Sequence, residues 1–203
     1  MLMQDKNDKK KIAVRMVKFV IAISGKRKSG KDYCTNKLIK AFEKIQLPVS
    51  AVGISHSLKE EYAKIHNLNF GELLTDGPYK EQFRKDMIRW GEEVRNKDPS
   101  VFCRAALLSV DDSDIVIVSD CRRMTDFEFF VSNYKTLTVR VETIEDHRQQ
   151  RGFRFVKGID DAESECGLDD YKFDVVLKNI TGENIDSRIE KIVEKVIYEI
   201  NKL

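Results

Sequence analysis

Residues 18–32 read KFVIAISGKRKSGKD, an apolar run followed at once by Gly25, four residues, then Gly30 and Lys31. Few sequence features restrict a fold as tightly. A strand that ends in a glycine-bearing turn and reopens as a helix aims backbone N–H groups and a helix N-terminus at one spot, where a phosphate fits. G-x-x-x-x-G-K is the phosphate-loop pattern, with its lysine placed to reach the outer phosphates of a nucleotide. Gly25 and Gly30 let the backbone approach closely, Ser29 lies inside the turn, and Lys26, Arg27 and Lys28 add cations to Lys31. The pattern ordinarily closes on Ser or Thr, whose hydroxyl sits on magnesium. This chain has Asp32 instead. A carboxylate there is expected to hold the metal directly or through water, or to position the attacking group; the alternative is a helix-start acid that favours the helix dipole.

The remaining chain keeps the alternation that the loop implies. Apolar runs suited to buried strands fall at 18–24, 48–55, 114–120, 136–142 and 173–180. Helical stretches fall at about 31–45, 57–66, 79–96, 99–109, 124–133, 143–151 and 185–202. Together they predict an α/β fold of three layers, a five-stranded parallel sheet with helices on both faces. Two excursions interrupt the alternation, at about 56–110 and 148–170. Residues 1–17 read as a disordered lysine-rich extension, and 18–203 as one domain. A net charge of +2 argues against coating a polyanion, so no nucleic-acid partner is expected. No run approaches the roughly 20 apolar residues of a membrane helix, and the N-terminus lacks the apolar centre of a secretion signal. The four scattered cysteines form no C-x-x-C pair and read as free thiols of a reducing compartment. The cytosol is the expected location, the terminal Asn-Lys-Leu resembling the peroxisomal address only loosely, and a monomer is the default.

The third strand ends in Asp120, at the carboxyl edge where open α/β sheets bind ligands. An acid there is the second magnesium-organising group expected beside a phosphate loop, with a turn cap as the alternative. A guanine-specific N-K-x-D element is missing, and the arginines point away from a nucleotide switch. On the helical stretch YKEQFRKDMIRWGEEVR, the stripe Phe83, Met87, Trp90 and Val94 reads as core. Lys80, Arg84, Gly91 and Arg95 make a second stripe, with Gly91 leaving that basic face open to an anion. Arg122 and Arg123 follow Asp120, Arg140 lies among valines where it needs an anionic partner, and Arg148 and Arg151 share a helix face. One acceptor hydroxyl does not require so many cations. A phosphate acceptor does, because two polyanions must meet in a site that excludes water. With a second pKa near about 6, such an acceptor is already largely ionised and needs no strong base. None of His56, His66 and His147 stands where a base is obvious. The residues therefore read as a kinase acting on a phosphomonoester.

The runs SGKRKSGKD, YKEQFRKDMIRWGEEVR, FCR, SDCRR, RQQRGF and DDAESECGLD, in this order from about residue 18 onward, resemble the animal-type phosphomevalonate kinase family. The resemblance implies the P-loop fold of nucleoside monophosphate kinases, with an acceptor-binding region and a lid. It implies transfer from ATP, with Mg2+, to 5-phosphomevalonate, giving 5-diphosphomevalonate and ADP in the mevalonate route to isoprenoids and sterols. It makes Asp32 a family feature, and assigns Lys28, Lys31, Asp32 and Arg122 to catalysis. Acceptor binding falls on Lys80, Arg84, Arg95, Arg122 and Arg123, with Arg104 of FCR a further candidate. The ATP phosphates fall to the loop residues and to Arg140, Arg148 and Arg151. By charge alone the acidic run DDAESECGLDD is a solvated loop; its resemblance to the family suggests pairing with lid arginines when the site is empty. A kinase of a nucleoside monophosphate is the rival enzyme reading, and a nucleotide-dependent switch or nucleic-acid-binding protein the rival outside enzymes.

Overall fold

Strand β1, Phe19–Ser24, is buried along its whole length, and its alternate side chains feed two different cores. Phe19, Ile21 and Ile23 pack on one face against Cys34, Leu38 and Phe42 of α1 (Lys31–Lys44) and Ile189, Ile192 and Val196 of α9 (Ile185–Ile200). Val20 and Ala22 point the other way, to Phe102 and Cys103 of α5 (Val101–Leu108) and Phe127 and Phe130 of α6 (Met124–Asn133). A strand buried on both faces must be central, and every ladder beside it is parallel. The computed structural model, which describes residues 17–110 and 112–202, gives a five-stranded sheet in the order β2-β3-β1-β4-β5. The other strands are β2 Val49–Val52, β3 Ile115–Val118, β4 Thr136–Glu142 and β5 Val175–Lys178, all in parallel register. The lysine-rich extension before residue 17 lies outside the described residues.

This order positions the site. The chain leaves β1 for α1 on one face, and leaves its neighbour β3 for α6 on the other. Their turns diverge at the carboxyl edge and open a crevice there. A third apolar cluster sits beyond that edge: Tyr62 and Ala63 of α2 (Ile54–His66), Leu73 of α3 (Phe70–Leu74) and Met87 of α4 (Pro78–Lys97). Phe83 and Trp90 of the predicted core stripe join it, and Val94 packs into the α5 and α6 cluster. The segment after β4 carries two short helices, α7 (Glu145–Gln150) and α8 (Glu163–Cys166).

The structure corrects several bounds. The second apolar run is a strand only to Val52, and α2 begins at Ile54, earlier than the periodicity predicts. The reason is remote in sequence: both carboxylate oxygens of Asp120 accept from the first N–H groups of α2, Ile54 at 2.6 Å and Ser55 at 3.0 Å. The expected open face at Gly91 is also wrong. Gly91 is buried, and a Cβ there would come within 2.7 Å of Leu58 Cδ1, so the glycine lets α4 pack closely on α2 and offers nothing to an anion. Helices α3 and α8 were not expected; each is a single turn or little more, too short to leave a periodic signal.

Candidate active site

The loop after β1 has the geometry that its glycines allow. Gly30 precedes α1 with φ 93°, a left-handed conformation that a side chain would strain. A Cβ on Gly25 would come within 2.6 Å of the Val141 carbonyl oxygen. Lys31 is buried, and its ammonium donates only to loop carbonyls, Gly25 O at 2.5 Å and Lys26 O at 3.2 Å. Burial, and then the neighbouring Arg122 guanidinium, lower its pKa to about 8. A buried cation held by carbonyls, with no carboxylate bonded to it, fits a phosphate tail as its missing partner. Ser29 Oγ, buried beside it, also lacks a hydrogen-bond partner. Asp32 stands exposed at the cleft wall, one residue into the 14-residue helix.

The facing wall follows β3. Asp120 lines the cleft while capping the remote helix α2, where a cap on its own following turn was the alternative; each oxygen keeps a second lone pair for a further partner. Arg122 and Arg123 also line the cleft, and Asp126, fully buried in α6, fixes their backbone. Its Oδ2 accepts from Arg122 N at 2.9 Å and Arg123 N at 3.1 Å, while Oδ1 accepts from Arg95 Nη1 at 2.7 Å. One carboxylate thus ties α4 to the β3 turn. The Nε atoms of Arg95 and Arg123 are buried without partners, and Arg123 pairs with Glu92 through its terminal nitrogens.

Lys80 and Arg84 of α4 line the third side, Arg84 clamped by Glu81 at 2.9 Å and Lys80 bonded to Asp76 at 2.9 Å. Asp76, which the sequence reading missed, also accepts from Lys28 at 3.2 Å and so spans loop and acceptor helix. The hydrogen bond from Lys80, with its charge, lowers the Asp76 pKa to about 2. Lys59 was missed as well. It lies on α2 facing the cleft, 3.3 Å from Ser55 Oγ, and burial, then Lys80, bring its pKa down to about 8. In sequence it is one lysine in a run of mixed charges, SLKEEYAK, and only the packing of α2 on α4 marks it.

The segment after β4 folds back over the loop. Arg27 makes a bidentate pair with Asp160 at 2.9 and 2.7 Å, and Lys26 bonds Asp169 at 2.5 Å. Glu165 joins Arg122 to Arg27, whose N–H it accepts at 2.9 Å. The acidic run therefore pairs chiefly with loop cations and Arg122, where lid arginines were expected. Only Arg140 of that set engages it: buried in β4, it bonds Asp169 at 2.9 Å and Ser24 Oγ at 3.2 Å. Arg148 donates to Arg27 O at 3.0 Å and lies over the Phe153 ring, and Arg151 lines the cleft and donates to Ser29 O at 2.9 Å. Neither Arg140 nor Arg148 lines the cleft among the described residues. Arg104 stands apart. Phe102, Cys103 and Ala106 turn α5 inward, which puts Arg104 on the exposed side, paired with Asp98 and outside the cleft lining.

These walls enclose a cleft of about 850 Å³, large enough for a nucleotide tail and a small acceptor. Oxygen ligands suit magnesium, which binds through one or two carboxylates together with substrate phosphates. Among the described residues no three His, Cys, Asp or Glu side chains form a metal cluster; Asp32 and Asp120 are two carboxylates that line the cleft. No described helix is long and apolar enough to cross a membrane.

Residues 23–136 match the model of the phosphomevalonate kinase family. A phosphomevalonate kinase of Drosophila melanogaster is 41% identical over 184 residues, covering 85% of this chain and 96% of the relative. Among solved structures, the APS kinase CysC of Mycobacterium tuberculosis aligns over 87% of this chain and 96% of its own, at 13% identity and a TM-score of 0.46. A shikimate kinase of Bacteroides thetaiotaomicron aligns over 88% and 98%, at 14% identity and a TM-score of 0.41. On the two sequence matches, this chain belongs to the phosphomevalonate kinase family.

Proposed function

We infer that this chain transfers the γ-phosphoryl group of ATP to 5-phosphomevalonate, giving 5-diphosphomevalonate and ADP in the mevalonate pathway. The observation that carries the reading is the meeting of two cationic walls, the loop after β1 and the arginines after β3, across one cleft. The loop N–H groups, the α1 N-terminus and Lys31 take the β and γ phosphates. Lys31 then exchanges carbonyl dipoles for a full counter-charge. Arg122 and Arg123, held by Asp126, meet the acceptor phosphate, while Lys80, Arg84 and Lys59 meet its remaining negative charge, including the carboxylate. Arg95 lines the same cleft with its guanidinium held by Asp126 at 2.7 Å. Arg104 is left out, because its position on α5 does not reach the cleft. Arg151, from the cleft edge, and Lys28 neutralise charge shared between the approaching groups; Arg140 and Arg148 shape the loop from behind. A bound Mg2+, on Asp32 and Asp120, would supply charge neutralisation between the phosphates. The segment at about 148–170 excludes water, so that ATP is not spent on hydrolysis. The proposal includes a cytosolic monomer with no nucleic-acid partner.

The test is ADP release from Mg-ATP with 5-phosphomevalonate, mevalonate, AMP, CMP and GMP offered separately. Turnover with 5-phosphomevalonate alone is the expected outcome. Turnover with a nucleoside monophosphate would keep the phosphate-acceptor chemistry and remove the substrate assignment.

A further inference from the structure

Two carboxylates span the ATP loop and the acceptor wall, and they are not equivalent. Asp76 bridges Lys28 and Lys80, but its side chain is 74% exposed and water screens both pairs. Glu165 is 5% exposed. One of its oxygens accepts from the Arg122 guanidinium, and the other accepts from Arg27 N–H at 2.9 Å. A guanidinium and a phosphate-loop N–H, converging on one anion in a desolvated place, are the donors that a phosphoryl oxygen takes in such a site. The carboxylate is delivered by α8, itself held over the loop by Asp160 on Arg27 and Asp169 on Lys26.

We propose that Glu165 is an internal phosphate surrogate: in the empty cleft its carboxylate occupies the anion position between Arg122 and the phosphate loop, and an arriving substrate phosphate displaces it. A carboxylate brings one charge and two acceptor oxygens; a phosphomonoester brings about −1.5 to −2 and three oxygens, and so wins the exchange. Until then Arg122 is neither unpaired nor free to swing, and a lone weak anion must compete with a tethered one. Displacement also removes the link that Glu165 makes from α8 to Arg122, which lets the acidic segment re-seat when substrate enters. The inference rests on the reading of Arg122 as an acceptor arginine.

Calorimetric titration of 5-phosphomevalonate into wild type, Glu165→Gln, Asp170→Asn and Arg122→Ala tests both. Removing a competing charged hydrogen bond should tighten acceptor binding by Glu165→Gln roughly fivefold to twentyfold. Asp170 is exposed, so Asp170→Asn removes the same formal charge and should change binding by less than about twofold. Damage to a scaffold weakens binding, so a gain of affinity separates the two roles. Unchanged or weaker binding in Glu165→Gln, or equal tightening in Asp170→Asn, overturns the proposal. If Glu165→Gln does not fold, Glu165→Asp carries the test. Its shorter arm reaches one wall at a time, part of the gain is expected, and no gain overturns the idea. Arg122→Ala tests the underlying reading independently. Undiminished acceptor affinity there sinks the acceptor assignment of Arg122, whereas loss there without a gain in Glu165→Gln sinks the surrogate alone.

Discussion

Asp126→Ala should be the most damaging single substitution that touches neither substrate. The carboxylate is 0% exposed and satisfies the Arg95 guanidinium at 2.7 Å and two backbone N–H groups at 2.9 and 3.1 Å. Truncation leaves Arg95, 7% exposed, as an uncompensated buried charge, and it orphans both N–H groups. Breaking a buried pair from one side costs about 3–5 kcal/mol, a large share of the roughly 5–15 kcal/mol that holds a domain folded. Urea unfolding followed by circular dichroism measures the loss. Asp126→Asn keeps an acceptor for the N–H groups and should lose less. Asp126→Ala with Arg95→Met should recover about 1–3 kcal/mol, since no charge is then stranded. Where folded protein survives, KM for the acceptor should rise more than KM for ATP, because the same carboxylate fixes the turn carrying Arg122 and Arg123. A loss below about 1 kcal/mol, or no recovery in the double variant, would refute the account of this network.

Burial lowers the folded pKa of Lys31 to about 8, from an ordinary value of 10.5, so above pH 8 the lysine is increasingly neutral without a bound phosphate. Polyphosphate restores its proton, so at pH 8.5 ATP binding should take up protons and weaken as pH rises. Calorimetry in two buffers of different ionisation enthalpy should show this, and Lys31→Met should abolish it; buffer-independent heats would contradict it. The sign for folding is opposite. Between pH 8 and 10.5 the unfolded chain binds more protons at this lysine, so its buried-charge penalty fades and its contribution to stability rises. Asp32→Asn should lower turnover and raise the magnesium concentration needed for half-maximal rate, and unchanged kinetics would return Asp32 to a helix-start role.

What the sequence disclosed and what it hid divide by range. The β1 run, the glycine spacing and the Phe83 to Val94 stripe are local patterns whose period dictates an element, and each element stands where the pattern placed it. Lys80, Arg84, Arg122 and Arg123 were legible because strand edges and helix faces are themselves local, and the fold carries them to one cleft. Gly91 was misread because a glycine on a polar stripe looks the same whether it admits an anion or a neighbouring helix; only Leu58, 33 positions away, decides. The carboxylates that organise the cations were illegible for the same cause. Asp126 meets Arg95 across 31 positions and Glu165 meets Arg122 across 43, and no period links such pairs. The acidic run shows why charge counting failed. Its acids, read by charge alone as a solvated loop, pair with cations of both walls: Asp160 with Arg27, Asp169 with Lys26 and Arg140, Glu165 with Arg122. A cleft built to bring two polyanions together would, left unpaired, strand several half-buried cations. Acids of the same chain therefore hold those cations, and Glu165 is the one proposed to yield to phosphate.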